Sequence, residues 1–379
     1  MQNKGKLLII EPILSGHVLE WLNHYSWYIV ASRKKALFVL PYTFCRIKDN
    51  LNWPNYDGID FEYLSERQIK RCTSGNLLMC AYQYSKLIAK YVIKFEISYV
   101  YLTFLMKTIP FLPFFLPKGV KAYGVIYRLY LYDKEKTLFR IYLEKIRYLI
   151  ISKSSNIKKA FVLNDEVGVK NLNQIYKTDK FVYLPDPLPL FNPSKFCDIR
   201  KKYRIPSSNK VYLQFGGLDK RKNIIPILQS ILLMSDKELS DKTFVFAGKL
   251  FDSIIDEFEN LINKVKEKVQ IIVRTDFISY EDLNNYCYSC DYIFTIYSNT
   301  NQSSGAIGYA AYFKKPVIGV SDGLLGRLIK EYNLGYTLDT ITPQTIKQAI
   351  LSCPSYIIDD EYVNSHSRDE FCKILFNNL

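Results

Sequence analysis

Residues 211–223 run Val-Tyr-Leu-Gln-Phe-Gly-Gly-Leu-Asp-Lys-Arg-Lys-Asn. An apolar stretch ends in two glycines, Gly216 and Gly217, followed closely by three cations, Lys220, Arg221 and Lys222. Glycines let backbone approach a ligand, and cations at a helix start attract phosphate. The spacing is not that of a Walker A loop, and a plain glycine turn with a basic edge is the alternative. A second stretch follows the apolar run Tyr292–Ile296. Seven consecutive residues, Ser298 to Ser304, carry an amide or a hydroxyl, and Gly305 opens a helical pattern reaching Phe313. Uncharged donors and acceptors at a helix N-terminus suit sugar hydroxyls and a diphosphate. N-capping by Ser303 or Ser304 accounts for one or two of the seven. A third candidate, Gly16-His17, follows the apolar run Leu7–Glu11 and precedes a helical pattern. His17 can titrate or donate, or simply bond the helix start. His24, further along that helix, reads as structural.

Each of these loops needs a strand before it and a helix after it. In the first half, strand patterns fall at Leu7–Glu11, Ala36–Leu40, Ile59–Leu64, Ile97–Thr103, Val120–Tyr127, Ala160–Leu163 and Phe181–Leu184. An amphipathic stretch, Lys136 to Ser152, lies among them as a helix. Pro185, Pro187, Pro189 and Pro193 are too dense for an element interior and mark a linker. Beyond it come Val211–Phe215, Phe244–Ala247, Val269–Val273, Tyr292–Ile296 and Pro316–Val320, with helical segments between. Strands alternating with helices imply parallel pairing. The expected fold is therefore α/β, with two Rossmann-like doubly wound sheets facing a cleft. Ligands bind such sheets beyond the carboxyl ends of the strands, where all three loops lie.

Composition narrows the function classes. The chain of 379 residues is 48% hydrophobic and 23% charged, so it is neither collagenous nor disordered, and 8 Cys are too few for a disulfide scaffold. Lys and Arg exceed Asp and Glu by 51 to 37, a formal +14, which favours phosphorylated or anionic partners. The most apolar stretch, Tyr99 to Leu116, holds Lys107 and is cut by Pro110 and Pro113. It falls short of the about 20 uninterrupted residues of a spanning helix. With no signal-peptide pattern at its start, the chain is expected in the cytoplasm, its thiols reduced. Cys287 and Cys290 form a CxxC without a second pair, and read as buried structural thiols.

The motifs resemble those of retaining glycosyltransferases of family 4. "VYLQFGGLDKRKN" resembles that family's strand, Gly-Arg-Leu and downstream Lys; "SSGAIGYAAYFKKPVIGV" resembles its donor-loop helix and the Lys-Pro-Val-Ile that follows. "SYEDLNNYCYSCDYIFTIYS" and "AFVLNDEVGVKNL…FVYLPDPL" resemble a further helix–strand pair and the close of the acceptor domain. The resemblance implies the GT-B fold: an acceptor domain at 1–188, a nucleotide-sugar domain at 189–355, and a carboxyl-terminal segment, 356–379, crossing back to the first domain. Two departures stand out. Where the family has two Glu eight positions apart, this chain has Asn301 and Tyr309. The Arg of Gly-Arg-Leu falls on Gly217, leaving Lys220 or Arg221 to supply that cation.

What the resemblance implies is sugar transfer, with retention, from a nucleotide-sugar to a glycan or lipid-linked acceptor. Surface polysaccharide assembly (capsule, O-antigen or exopolysaccharide) at the inner membrane face suits the charge and the many Tyr. Donor contacts are expected from Gly216, Gly217, Lys220, Arg221, Lys222, Gln302, Ser303, Ser304, Gly305 and Tyr309. His17, Arg128 and Asn301 are the candidates for chemistry, and Gly16 with His17 for acceptor binding. Fixed cations replace a metal in this reading, so neither metal nor other cofactor is expected. The rivals are an inactive GT-B binding or scaffold subunit, which would explain the missing Glu pair, and a basic nucleic-acid-binding protein. The second finds no helix-turn-helix or RNA-recognition signature in support.

Overall fold

A computed structural model describes residues 5–14, 18–48, 53–129, 137–189, 191 and 196–377. The chain forms two compact units, one of residues 1–186 with 368–379, the other of residues 187–367. The break falls within the proline-rich segment. Residues 361–365 form a helix of the second unit, and the return to the first begins only at Arg368.

The first unit holds β1 (Leu7–Ile10), β2 (Ala36–Pro41), β3 (Ile59–Leu64), β4 (Tyr99–Leu102), β5 (Lys121–Ile126), β6 (Ile157–Leu163) and β7 (Phe181–Leu184). Their order is β3-β2-β1-β4-β5-β6-β7, and all pairs are parallel. The second holds β8 (Lys210–Phe215), β9 (Lys242–Ala247), β10 (Gln270–Arg274), β11 (Tyr292–Thr295), β12 (Val317–Val320) and β13 (Gly335–Leu338). Their order is β10-β9-β8-β11-β12-β13, again parallel throughout. Helices cover both faces of such sheets, so inner strands are apolar on both sides. Leu7 to Ile10 and Ala36 to Pro41 are accordingly buried at every position. β13 was not among the expected strands. It lies at a sheet edge and three of its four residues are only half-buried, so its sequence lacks the apolar run that marks the others.

Cys287 and Cys290 are fully buried, with the Cys290 thiol donating to the Cys287 carbonyl at 3.3 Å. They behave as the core thiols expected of them. His24 is buried too, and desolvation lowers its pKa to about 4.

Helix Arg368–Phe376 returns to the first unit and lies on helix Val18–Ala31. Phe371 stacks on Tyr25 with ring centroids 6.0 Å apart, and Phe376 stacks on Tyr28 at 4.9 Å. Cys372 donates to the His24 carbonyl at 3.6 Å. Phe371, Cys372, Leu375 and Phe376 are all buried. Truncating one buried Phe to Ala costs about 3–5 kcal/mol. Phe371→Ala should therefore lower the melting transition of the first unit clearly, and deletion of 368–379 should lower it further. Calorimetry that finds the deleted chain melting like the parent would refute this dependence.

Candidate functional site

In the second sheet the direction of winding reverses between β8 and β11. The loops leaving these neighbours pass to opposite faces, so a crevice opens beyond their carboxyl ends. Both polar stretches emerge here. Gly216 has φ +84°, and a Cβ on it would come within 2.6 Å of Lys222 Nζ. Only glycine fits that turn comfortably. Asp219 then accepts from the Arg221 backbone N–H at 3.0 Å and starts a 3-10 turn, Lys220–Lys222. Asn223, in the left-handed region, opens helix Ile224–Leu232 and donates from its side chain to the Ile296 carbonyl at 3.0 Å. Ser298 donates to the Arg221 carbonyl from its backbone N–H at 2.8 Å and from its hydroxyl at 3.1 Å. Three hydrogen bonds thus fasten one loop to the other.

The three cations have different environments. Lys222 is half-buried. Its ammonium donates to the Phe215 carbonyl and lies 5.9 Å from the centroid of the Phe215 ring and 5.4 Å from that of Tyr297. Burial lowers its pKa to about 8; Asp219 opposes the shift and Arg221 adds to it. Arg221 is exposed and forks onto one oxygen of Asp219, at 2.6 Å from Nη2 and 3.1 Å from Nε. Its charge is therefore shared with a fixed carboxylate. Lys220 is exposed. Lys222 is the cation that the fold holds in place.

In the second loop the Asn299 amide donates to Gln302 Oε1 at 2.8 Å. Asn301 and Gln302 are half-buried, Ser303 is buried, and Ser304 caps helix Gly305–Tyr312 by accepting from Ala306 N–H at 3.3 Å. Gly217 faces Phe251, whose ring would lie 3.0 Å from a Cβ. Tyr309, expected at the donor, is 3% exposed and packs edge-on against Phe215 at 5.5 Å and Phe191 at 5.4 Å, so its ring belongs to the core of the second unit. Ala306 through Ala311 are buried without exception, as befits a helix with no polar face. That uniform apolarity is the sequence signal for its burial.

Sequence reasoning also passed over Gln214 and Tyr297. Gln214 is fully buried on β8 and donates to the Phe215 carbonyl at 3.3 Å. Burial raises the Tyr297 pKa to about 12, while hydrogen bonds from Ser304 and Gln214 oppose the shift. The amide within the apolar run Val-Tyr-Leu-Gln-Phe was the available clue, because a buried polar group needs a purpose. In the first unit, Gly16 and His17 lie outside the described residues, as does Pro193 of the linker. Arg128 is half-buried two residues beyond β5.

No protein-family model matches the chain, and no curated protein does. Solved structures match over nearly its whole length. A glycosyltransferase from Rickettsia africae ESF-5 aligns with 99% of this chain and 92% of its own at 18% identity, with a TM-score of 0.64. Alr3699/HepE from Anabaena, solved with UDP-glucose, covers 98% and 95% at 12% identity, with a TM-score of 0.65. A putative UDP-N-acetylglucosamine 2-epimerase from Listeria monocytogenes covers 98% and 91% at 11% identity, with a TM-score of 0.60. The chain has the GT-B fold. GT-B architecture serves more than one reaction among these three, so the chemistry must be argued from the residues.

Lys222 and Tyr309 should separate cleanly in a nucleotide-binding assay. If this loop holds a nucleotide diphosphate, Lys222→Ala should weaken its binding by about 1.5–3 kcal/mol, the range for a hydrogen bond to a charged group. The lysine is charged below about pH 8, so affinity in the parent should fall as pH rises through that value, and the variant should lose this slope. Tyr309→Ala should instead lower the melting temperature, as a core ring does, and leave the pH slope in place. Calorimetric titration with nucleoside diphosphates that finds equal affinity in parent and Lys222→Ala would remove the loop from the site.

Proposed function

We propose that the chain is a glycosyltransferase that uses a nucleotide-sugar donor and a glycan acceptor, with retention. The observation that carries this is Lys222, fixed against the Phe215 carbonyl in a glycine loop fastened to a run of amides and hydroxyls. The difficult step in sugar transfer is departure of the nucleotide diphosphate. A preorganised cation and a helix N-terminus can stabilise the charge that develops there. Lys222 and the start of helix Gly305–Tyr312 supply both. Asn301 and Gln302 supply neutral hydrogen bonds for the sugar in place of a carboxylate. The bound UDP-glucose of Alr3699/HepE supports a uridine nucleotide as the first donor to test. Retention rests on the family 4 resemblance, and Arg128 and His17 remain the acceptor-side candidates. Because a fixed lysine does the work of a cation, the reaction proceeds without metal.

The acceptor in this reading is carried on a lipid diphosphate at a membrane surface, as in surface polysaccharide assembly at the inner face. No helix among the described residues is long and apolar enough to cross a membrane. Helix Leu138–Lys153 offers another means of attachment. Leu138 is 85% exposed and Phe139 69%, and Tyr142 and Leu143 continue the apolar face beside exposed Arg140 and Lys145. Apolar side chains flanked by cations suit an anionic bilayer. The chain should sediment with phosphatidylglycerol vesicles, and Leu138→Glu/Phe139→Glu should remain in the supernatant. Equal sedimentation of both would reject this surface.

The experiment that tests the catalytic reading is a thermal-shift screen against nucleotide-sugars, followed by an assay for transfer to lipid-linked glycans. A ligand at 100 times its Kd stabilises the folded state by about 2.7 kcal/mol. A donor should be found, and transfer should survive EDTA with the anomeric configuration retained by NMR. Loss of transfer in EDTA, restored by magnesium or manganese, would overturn the metal-free mechanism. Binding without turnover would favour an inactive binding subunit, and a changed sugar without an acceptor would favour epimerisation.

A further inference from the structure

The first sheet has its own reversal of winding, between β1 and β4. Its crevice, too, lies beyond the carboxyl ends of two neighbouring strands. Leu7, Leu8 and Ile9 pair with Tyr99, Val100 and Tyr101. Continued two steps, that register sets Glu11 beside Thr103, each the first residue past its strand. Both are buried, Glu11 at 1% exposure and Thr103 at 0%.

Their polar atoms are only partly used. The Glu11 backbone N–H donates to the Val39 carbonyl at 3.1 Å, and its Oε1 accepts from Ile13 N–H at 3.1 Å. Glu11 Oε2 and Thr103 Oγ1 complete no hydrogen bond of good geometry among the described residues, although the Thr103 hydroxyl lies close enough to the carboxyl to act on it. The nearby hydroxyls are committed elsewhere, and Lys107 acts on the carboxyl only through its charge. The Tyr84 hydroxyl donates to the Ile10 carbonyl at 2.8 Å, and the Tyr25 hydroxyl to that of Tyr101 at 3.3 Å. Lys107 holds its ammonium 4.1 Å from the centroid of the Phe104 ring. Burial raises the Glu11 pKa to about 7; Lys107, the Ile13 N–H and Thr103 oppose the shift. Buried carboxyls that serve packing alone are normally paired. This one has only the Ile13 N–H and a poorly aligned Thr103 hydroxyl beside it, at the edge where such sheets bind ligands.

We propose that Glu11 and Thr103 form a hydroxyl-binding subsite for a sugar in the first unit. Oε2 accepts from one ligand hydroxyl, and Thr103 Oγ1 pairs with the same or an adjacent one. That the sugar belongs to the acceptor rests on the glycosyltransferase reading. The pair of polar atoms does not. An ionised carboxylate accepts from a hydroxyl better than a neutral acid does. Sugar should therefore bind better as pH rises through about 7, and bound sugar should lower the midpoint of the Glu11 titration. Tyr25 and Tyr84, pushed well above the ordinary tyrosine range by burial, keep their protons throughout.

The test is carboxyl carbon NMR on the full chain with labelled Glu, the Glu11 signal being assigned by its loss in Glu11→Gln. Titrations are run alone and with methyl glycosides of glucose, galactose, mannose and N-acetylglucosamine. At least one glycoside should lower the Glu11 midpoint by about one unit, which corresponds to roughly tenfold in affinity between the two protonation states. That glycoside should bind roughly tenfold more weakly to Glu11→Gln and to Thr103→Val, and Thr103→Ser should restore binding. A midpoint unmoved by all four sugars would overturn the subsite, as would equal affinity in parent and Thr103→Val. The Thr103 pair decides if Glu11→Gln fails to fold. UDP-glucose binding is measured alongside. If it persists while Glu11 is unmoved, only the subsite fails; if the parent binds no nucleotide-sugar, the donor reading fails.

Discussion

Parallel pairing is the constraint on which the rest depends. Each parallel strand must be followed by a crossover that covers a face of the sheet, so every strand-to-helix loop leaves from the same edge. Where successive crossovers switch face, neighbouring loops part and leave room. Each unit has one such place, between β1 and β4 or between β8 and β11. Several buried or half-buried polar side chains gather at these two edges: Glu11 and Thr103 in one unit, Gln214, Lys222, Tyr297 and Ser303 in the other.

At the second edge, electrostatics is settled by packing more than by charge count. Three adjacent cations suggest a diffuse positive patch. The fold instead commits Arg221 to Asp219 and holds half-buried Lys222 beside two rings. A lysine held this way has paid for its desolvation in advance, and a diphosphate arriving beside it meets a cation with little water to shed. The exposed neighbour Lys220 keeps its solvent shell and is screened by salt.

Much of the architecture was legible in the sequence because it is written in apolar runs. Leu-Leu-Ile-Ile at 7–10 and Ala-Leu-Phe-Val-Leu at 36–40 have the continuous apolarity of doubly covered strands. Gly335 to Leu338 was not legible, because an edge strand needs no such run. The two polar loops of the second unit were visible by composition, but the partner of each side chain was not. Nothing in Asp-Lys-Arg-Lys says that the second cation folds back on the aspartate while the third turns to a carbonyl seven residues earlier. Tyr309 shows the reverse: the family resemblance gave it a donor role, while its apolar neighbours Ile307, Ala310 and Ala311 already gave its place in the core. Glu11 stood in plain view at the end of a strand, but a carboxylate there reads as ordinary until its burial is known.

Helix Arg368–Phe376 makes the first unit discontinuous along the chain, with a consequence for its synthesis. A ribosome adds about 5–20 residues per second. Between residue 186, where the first sheet is complete, and residue 368, where its covering helix begins, roughly 10–40 seconds elapse at that rate. Throughout that interval Trp21, Tyr25 and Tyr28 lack the rings of Phe371 and Phe376 that lie against them in the finished protein. The second unit, continuous in sequence, can close first even though it is made later. The nascent first unit spends that time with an open aromatic seam, which closes only when the last residues of the chain have been made.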